Sequence, residues 1–103
     1  MIILLWGADA SRARKKCQAI LARYRQLHPA GFRIHEWDEE SFSFDAFLQA
    51  LGTFSMFREK KLLLLKNLIS DEELRKYVST RIKLLASDQE AILVFLEEML
   101  MDL

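Results

Sequence analysis

Residues 62–65 read Leu-Leu-Leu-Leu and lie between Lys61 and Lys66. A short apolar run bounded by charged residues is typical of a strand buried on both faces of a sheet, because a buried helix needs more residues. Two similar runs occur at Ile2–Trp6 and at Ala91–Leu96. The sequence therefore predicts three buried apolar strands, of which the one at Ile2–Trp6 has the pattern of a strand buried on both faces.

Between these strands, apolar residues recur at helical spacing. A first helix is expected from Asp9 or Ser11, either of which can cap it, to the breakers around His28. After it, Phe32–Trp37 alternates in polarity, as a strand near a sheet edge does. This first helix carries a set of apolar residues on one face: Ala13, Cys17, Ile20, Leu21, Tyr24 and Leu27.

Two further helices are expected in the second half of the chain. Ser43 opens a short helix that Gly52 closes. Ser70 and Glu73 have the spacing of a capping box at the start of the next helix. The apolar residues of that helix are Leu74, Tyr77, Val78, Ile82 and Leu85.

Strands and helices thus alternate along the chain, which predicts an α/β fold. Right-handed crossovers place helices on both faces of a parallel sheet, so we expect a three-layer domain with about four or five strands. The residues expected in the core of that sheet are Leu4, Leu63, Leu64, Leu93 and Phe95.

Composition indicates one domain in a reducing compartment. A length of 103 residues suits a single domain, and 15 basic residues balance 15 acidic ones, so net charge draws the chain to no polyanion. Cys17 has no second cysteine to pair with. No segment reads as a signal peptide or a membrane span, and we expect a cytoplasmic protein that binds no membrane.

The loop after the first strand has the position of a phosphate-binding loop but lacks its chemistry. Gly7 is followed by Asp9, with no second glycine and no Lys-Ser/Thr pair at the required spacing. After Leu65, where a nucleotide hydrolase carries an acidic residue for its metal, the chain has Lys66 and Asn67. We expect no nucleotide, metal or other cofactor, and no catalytic residues.

Other sets of reactive residues have simpler interpretations. His28 and His35 lie on different elements, and His35 is expected at the surface. Cys17 lies on an apolar helix face, which favours a buried structural thiol. The acidic residues Glu36, Asp38, Glu39, Glu40 and Asp45 lack the pattern of a calcium loop and are expected to form a solvated rim. The basic residues of the first helix are expected to form an ordinary exposed face.

The segment from Gly52 to Lys61 carries Phe54, Met56 and Phe57 where turn-forming polar residues are expected. One interpretation is that these side chains fold back and cover the core. The other is that they form an exposed anchor for a hydrophobic pocket on a partner protein. The residues alone leave both interpretations open.

The order of these segments resembles the N-terminal domain of the delta subunits of bacterial DNA polymerase III, which open the sliding clamp. The resemblance covers nearly the whole chain and rests on IILLWG at 2–7, GTFSMFREKKLLLLKNL at 52–68 and AILVFLEE at 91–98. The middle stretch is its most specific part. The resemblance implies a P-loop NTPase-like domain of the AAA+ kind with a degenerate nucleotide site.

The resemblance also implies a function and a site. Met56 and Phe57 match a Leu-Phe pair that enters a pocket on the clamp (the beta subunit), and Phe54 matches an upstream apolar residue. Met56 replaces the usual leucine, and Gly52 stands where a glutamine often begins the motif. By this resemblance, residues 1–103 would be the N-terminal domain of a longer, non-catalytic subunit. The helical and collar domains of that subunit would lie outside these residues.

That longer subunit would meet other clamp-loader subunits through the domains lacking here, and would meet DNA only indirectly. Two alternatives stay open at this point. One is a nucleotide-binding protein with a degenerate P-loop. The other is a scaffold domain that docks neighbouring subunits and never touches a clamp.

Overall fold

The computed structural model describes residues 1–6, 10–27, 33–52 and 60–97. Within these ranges the chain alternates strands and helices in the order β1 (Ile2–Trp6), α1 (Ala10–Leu27), β2 (Arg33–Trp37), α2 (Phe44–Gly52), β3 (Lys61–Lys66), α3 (Glu72–Thr80), α4 (Ile82–Ser87) and β4 (Ala91–Glu97). In the same ranges, no helix is long and apolar enough to cross a membrane.

The strands form a four-stranded, all-parallel sheet in the order β1-β4-β3-β2. The crossover from β1 to β2 runs across the whole sheet in one direction, whereas the crossovers to β3 and then β4 step back in the other. Because such crossovers are right-handed, reversing the direction moves the connecting helix to the opposite face. The topology therefore places α1 alone on one face and α2, α3 and α4 on the other.

Two apolar cores confirm this three-layer arrangement of helices and sheet. On the α1 face, Cys17 and Leu21 pack with Leu62, Leu64 and other inward residues of the sheet. On the opposite face, α2, α3 and α4 contribute Phe47, Leu74 and Leu85 to a second cluster. The expected α/β fold with a parallel sheet and helices on both faces is confirmed, with four strands in the described residues.

The expected burial of the first strand was wrong. β1 lies at an outer edge of the sheet, and Leu4 is 47% exposed, whereas the other four residues expected in the core, on β3 and β4, are buried. The apolar run at 2–6 predicted burial on both faces, because an uncharged run does not reveal how many neighbours a strand has. The expected edge position of the strand ending at Trp37 is confirmed, since β2 forms the other outer strand.

The expected capping box at Ser70 was also wrong. Asp71 is the N-cap of α3, and its Oδ1 accepts a hydrogen bond from the backbone N–H of Leu74 at 3.0 Å. An aspartate satisfies an otherwise unpaired donor of the first turn as well as serine does, so the cap shifts by one residue. Ser43 holds its expected place at the start of α2, where its Oγ accepts from the N–H of Ala46 at 3.3 Å.

The single helix expected beyond Ser70 is broken into α3 and α4 at Arg81, whose backbone leaves the helical region with φ −119° and ψ 23°. The hydroxyl of Thr80 donates to the carbonyl oxygen of Lys76 at 2.9 Å, a bond that commonly bends a helix. After the break, Ile82 is 51% exposed instead of entering the core.

At the start of α1, Ser11 lies inside the helix and so is not its cap, and Asp9 lies outside the described residues. At its end, Leu27 is exposed although its spacing predicted a buried residue.

Candidate functional site

The carboxyl ends of parallel strands are where α/β proteins commonly bind small ligands. At the end of β3, Asn67 adopts a left-handed backbone conformation with φ 56°, and its N–H donates to the carbonyl oxygen of Leu96 at 2.8 Å. At the end of β4, the carboxylate of Glu97 accepts from the N–H of Ile69 at 2.9 Å. These two hydrogen bonds connect the turn after β3 to the end of β4. Asn67 and Glu97 therefore have a structural role at this end of the sheet.

Glu97 has an unusual electrostatic environment. Partial burial raises the pKa of its carboxyl group, the hydrogen bond from Ile69 acts in the opposite direction, and the charge of Glu39 raises the pKa further. A carboxyl group with a raised pKa is a candidate proton donor or acceptor in a cleft.

A metal site is a separate question. Among the described residues, no group of three histidine, cysteine or acidic side chains could hold a metal ion. The loop at residues 7–9 lies outside the described residues.

The acidic residues that follow β2 shape a turn. The carboxylate of Asp38 accepts from the N–H groups of Glu40 and Ser41, at 3.0 and 2.8 Å. Hydrogen bonds from Ser41 and Glu40 stabilise the ionised form and lower the pKa of Asp38. Asp38 and the neighbouring acidic residues are exposed, as the expectation of a solvated rim requires.

The other reactive side chains singled out in the sequence also have structural surroundings. His35 is half-buried and stacks on Trp37 with the ring centroids 5.8 Å apart, so the expected surface position holds only in part. Cys17 is buried between α1 and the sheet, as expected. His28 lies outside the described residues.

The expected interaction residues Phe54, Met56 and Phe57 also lie outside the described residues, which omit 53–59. The structure does define the two points between which this segment runs. Before it, α2 is anchored by Phe47, which is fully buried. After it comes β3, whose four leucines at 62–65 are all buried.

A hydrogen bond joins these two points directly. The ammonium group of Lys61 donates to the carbonyl oxygen of Leu51 at 2.6 Å, and the backbone N–H of Lys61 donates to the carbonyl oxygen of Glu90 at 2.9 Å. Partial burial lowers the pKa of Lys61, while the charges of Asp88 and Glu90 raise it. The residues on both sides of the 53–59 segment are therefore held by buried side chains and by a shared charge-assisted bond.

A second surface gives no signal in the sequence. An apolar groove of about 240 Å³ runs beside β1 and beneath α3, and Leu4, Ile82 and Phe95 are among the residues that line it. The groove exists because β1 lies at the sheet edge, and an uncharged five-residue strand has no sequence feature that distinguishes an edge strand from a central one.

We compared the chain with protein-family models, with curated proteins and with solved structures, and found no match in any of the three.

Proposed function

We propose that this chain is a non-catalytic protein-interaction domain that binds and opens a bacterial sliding clamp during DNA replication, as the delta subunits it resembles do. The proposed contact residues are Phe54, Met56 and Phe57. In the same proposal the chain belongs to a cytoplasmic subunit of the DNA polymerase III holoenzyme, has an AAA+-like P-loop architecture without a working nucleotide site, and needs no cofactor.

The observation that best supports this proposal is the bond between Lys61 and Leu51. An interaction segment gains affinity when its ends are fixed before binding, because less conformational entropy is then lost. The 53–59 segment lies between α2 and β3, which are anchored in the core by Phe47 and by the leucines at 62–65. A short segment between fixed ends suits the presentation of apolar side chains to a pocket.

Opening of the clamp would follow from differential affinity. A ligand shifts a conformational equilibrium only by binding one state better than the other. Burial of an aromatic or methionine side chain contributes about 1.5–3 kcal/mol before ordering costs. Three such residues binding better to a distorted clamp interface would favour the open ring without any chemistry in this domain.

The direct test is the double variant Met56→Ala/Phe57→Ala, assayed for binding to the sliding clamp by surface plasmon resonance. We expect binding to fall by at least about a hundredfold while the melting temperature stays near that of the parent. Leu84→Ala is the matched control, because Leu84 is 74% exposed and lies outside the proposed segment. Unchanged clamp binding by the double variant would reject the proposal, and so would a parent chain that binds no clamp.

A thermal-shift measurement on the parent chain distinguishes the proposed clamp-binding domain from the alternative of a degenerate nucleotide-binding protein. A ligand that binds only the folded chain raises the melting temperature, and the rise continues with the logarithm of the ligand concentration above its Kd. We expect no shift with magnesium and ATP at millimolar concentration. A clear shift that grows with the ATP concentration would support the nucleotide-binding alternative instead.

A further inference from the structure

Charge is distributed unevenly over the surface of the protein. The whole chain balances 15 basic residues against 15 acidic ones, yet α1 carries none of the acidic residues and a large share of the basic ones. The basic residues of α1 are all exposed: Arg12, Arg14, Lys15, Lys16, Arg23 and Arg25. Since Lys and Arg are rarely fully buried, the outer side of α1 forms a positively charged surface.

Helical spacing gives α1 a side toward the sheet and an opposite side toward solvent. Ala13, Cys17 and Leu21 form the side toward the sheet and pack in the core. Opposite to them lies a row of exposed residues at helical spacing, which we call the crest. The crest consists of Lys15, Ala19, Ala22 and Gln26.

A positively charged flank borders the crest on each side. Arg12, Lys16 and Arg23 are separated by four and seven residues, so they share one flank. Arg14 and Arg25 lie about three helical turns apart and share the other flank. The two flanks point in nearly opposite directions. Because two of the four crest residues are alanines, a partner can approach the crest closely while the cations reach out to both sides.

This arrangement matches the major groove of B-form DNA. An α-helix with its side chains is about 10–12 Å across, and the groove is about 12 Å wide. The two strands place a row of phosphates along each wall of the groove, which is where the flanks of α1 point. The ends of the charged stretch, Arg12 and Arg25, lie about 20 Å apart along the helix axis, a length over which each strand presents several phosphates. Within the described residues, α1 is also the only helix on its face of the sheet, so no second described helix competes for this surface.

We propose that α1 lies in the major groove of double-stranded DNA and binds the phosphates of both strands through its two flanks. On the crest only Lys15 and Gln26 can form hydrogen bonds with bases, so binding is largely independent of base sequence. The resemblance to delta subunits implies only an indirect meeting with DNA. The contact through α1 is separate from it, involves no residue of 53–59, and does not depend on the function proposed above.

Other anionic partners fit this surface less well. An anionic membrane binds a helix whose apolar side is free to enter the lipid, whereas the apolar side of α1 packs on the sheet. The major groove of double-stranded RNA is deep and narrow, and side chains cannot reach into it. A flat acidic protein surface would meet the crest and leave both flanks pointing past it. DNA is therefore the partner that engages both flanks.

The test measures binding to a fluorescent DNA duplex of about 16 base pairs, more than one turn of the double helix, by anisotropy. At physiological salt we expect a Kd between about 1 and 100 μM, as is usual for sequence-independent binding. The logarithm of the affinity should fall with the logarithm of the salt concentration, with a slope of about −3 to −5, because each phosphate contact releases counterions. A DNA duplex of different sequence should bind within about threefold. An RNA duplex should bind at least about tenfold more weakly.

Two matched double variants locate the contact. Lys16→Gln/Arg23→Gln removes two charges from one flank, and should weaken DNA binding at least about tenfold and make the salt slope shallower by about two. Lys76→Gln/Lys83→Gln removes two exposed charges from α3 and α4 on the opposite face, and should change the affinity less than about twofold. Both variants have the same net charge, so a difference between them comes from position. All four side chains are exposed, so both variants should melt near the parent.

Several results would overturn the proposal. They are no DNA binding by the chain at millimolar concentration, equal losses of affinity in the two double variants, and a salt slope near zero. RNA binding as tight as DNA binding would reject the placement in the major groove. Two further probes test the other partners: polyglutamate, or vesicles containing phosphatidylglycerol. If either bound more tightly than DNA and lost affinity in Lys16→Gln/Arg23→Gln, the surface would belong to an acidic protein or to a membrane instead.

Discussion

The two outer strands of the sheet differ in how they meet solvent. β2 reads Arg-Ile-His-Glu-Trp and carries charged residues along its length, whereas β1 reads Ile-Ile-Leu-Leu-Trp and carries none. The end of β2 is also covered, since Trp37 makes edge-on ring contacts with Phe42 and Phe47, with centroids 6.2 and 6.1 Å apart. At β1, in contrast, Leu4 and Trp6 are largely exposed beside a groove.

The difference shows that the two edge strands are protected to different extents. Natural proteins protect an edge strand with charges, bulges or covering segments, because an unprotected edge pairs with other chains. β2 carries the charged residues Arg33 and Glu36. β1 carries no charged residue, so it depends on packing against neighbouring segments and not on charge for its protection.

The largest effect should come from removing the aromatic cover beside β2. Phe47 is fully buried, and its ring contacts those of Phe42, Phe44 and Tyr77 as well as Trp37. Replacing Phe47 with Ala should lower the free energy of unfolding by about 3–5 kcal/mol, measured by urea denaturation. A loss below about 1 kcal/mol would show that this cluster does not stabilise the β2 side.

A smaller effect is expected at β1, and it can be compared directly with the neighbouring strand. Leu93 lies in β4, is fully buried and pairs in register with Ile2, so Leu93→Ala should cost about 2–5 kcal/mol. Leu4→Ala should cost less than about 1.5 kcal/mol, because Leu4 is already half exposed in the folded chain. Equal losses in urea denaturation would mean that the β1 edge is buried in solution.

This pair of leucines also shows what the sequence could and could not predict. The apolar runs predicted β1, β3 and β4 and their parallel arrangement, because run length and the intervening helices are local features of the chain. The position of β1 at the edge depends on the order β1-β4-β3-β2, which is fixed by packing between distant segments. The groove beside Leu4 could therefore not be predicted from the residues that line it.

For the candidate interaction segment at 53–59, the sequence predicts the contact residues but not the bond that joins the two ends of the segment. Phe54, Met56 and Phe57 were identified by composition and by a family resemblance, and they lie outside the described residues, so that identification stays a prediction. The bond from Lys61 to Leu51 could not be predicted, because a lysine ten residues from its acceptor has no recognisable spacing.

Two carboxyl groups at the same end of the sheet allow the β2 side and the β1 side to be compared by the pH dependence of stability. Asp38 follows β2, and hydrogen bonds lower the pKa of its carboxyl group. Its contribution to stability is therefore present above the ordinary pKa of about 3.9 and is lost as the pH falls through the lowered value. We expect Asp38→Asn to melt below the parent at pH 6, and the gap to narrow below about pH 3. A gap that widens in acid would contradict the assignment.

The smallest effect, and of opposite sign, is expected at Glu97, which pairs in register with Trp6 of β1. Burial raises the pKa of Glu97, so the folded chain prefers its protonated form. The resulting stabilisation is complete below the ordinary pKa of about 4.3 and is lost as the pH rises through the raised value. Gln does not titrate, yet its side-chain oxygen can still accept the hydrogen bond from Ile69. Glu97→Gln should therefore gain melting temperature relative to the parent between pH 3 and pH 7, by a small amount because the carboxyl group is partly solvated. If the melting temperature of the variant instead falls relative to the parent as the pH rises, the hydrogen bond from Ile69 to the ionised carboxylate outweighs the cost of burying the charge of Glu97 beside β1.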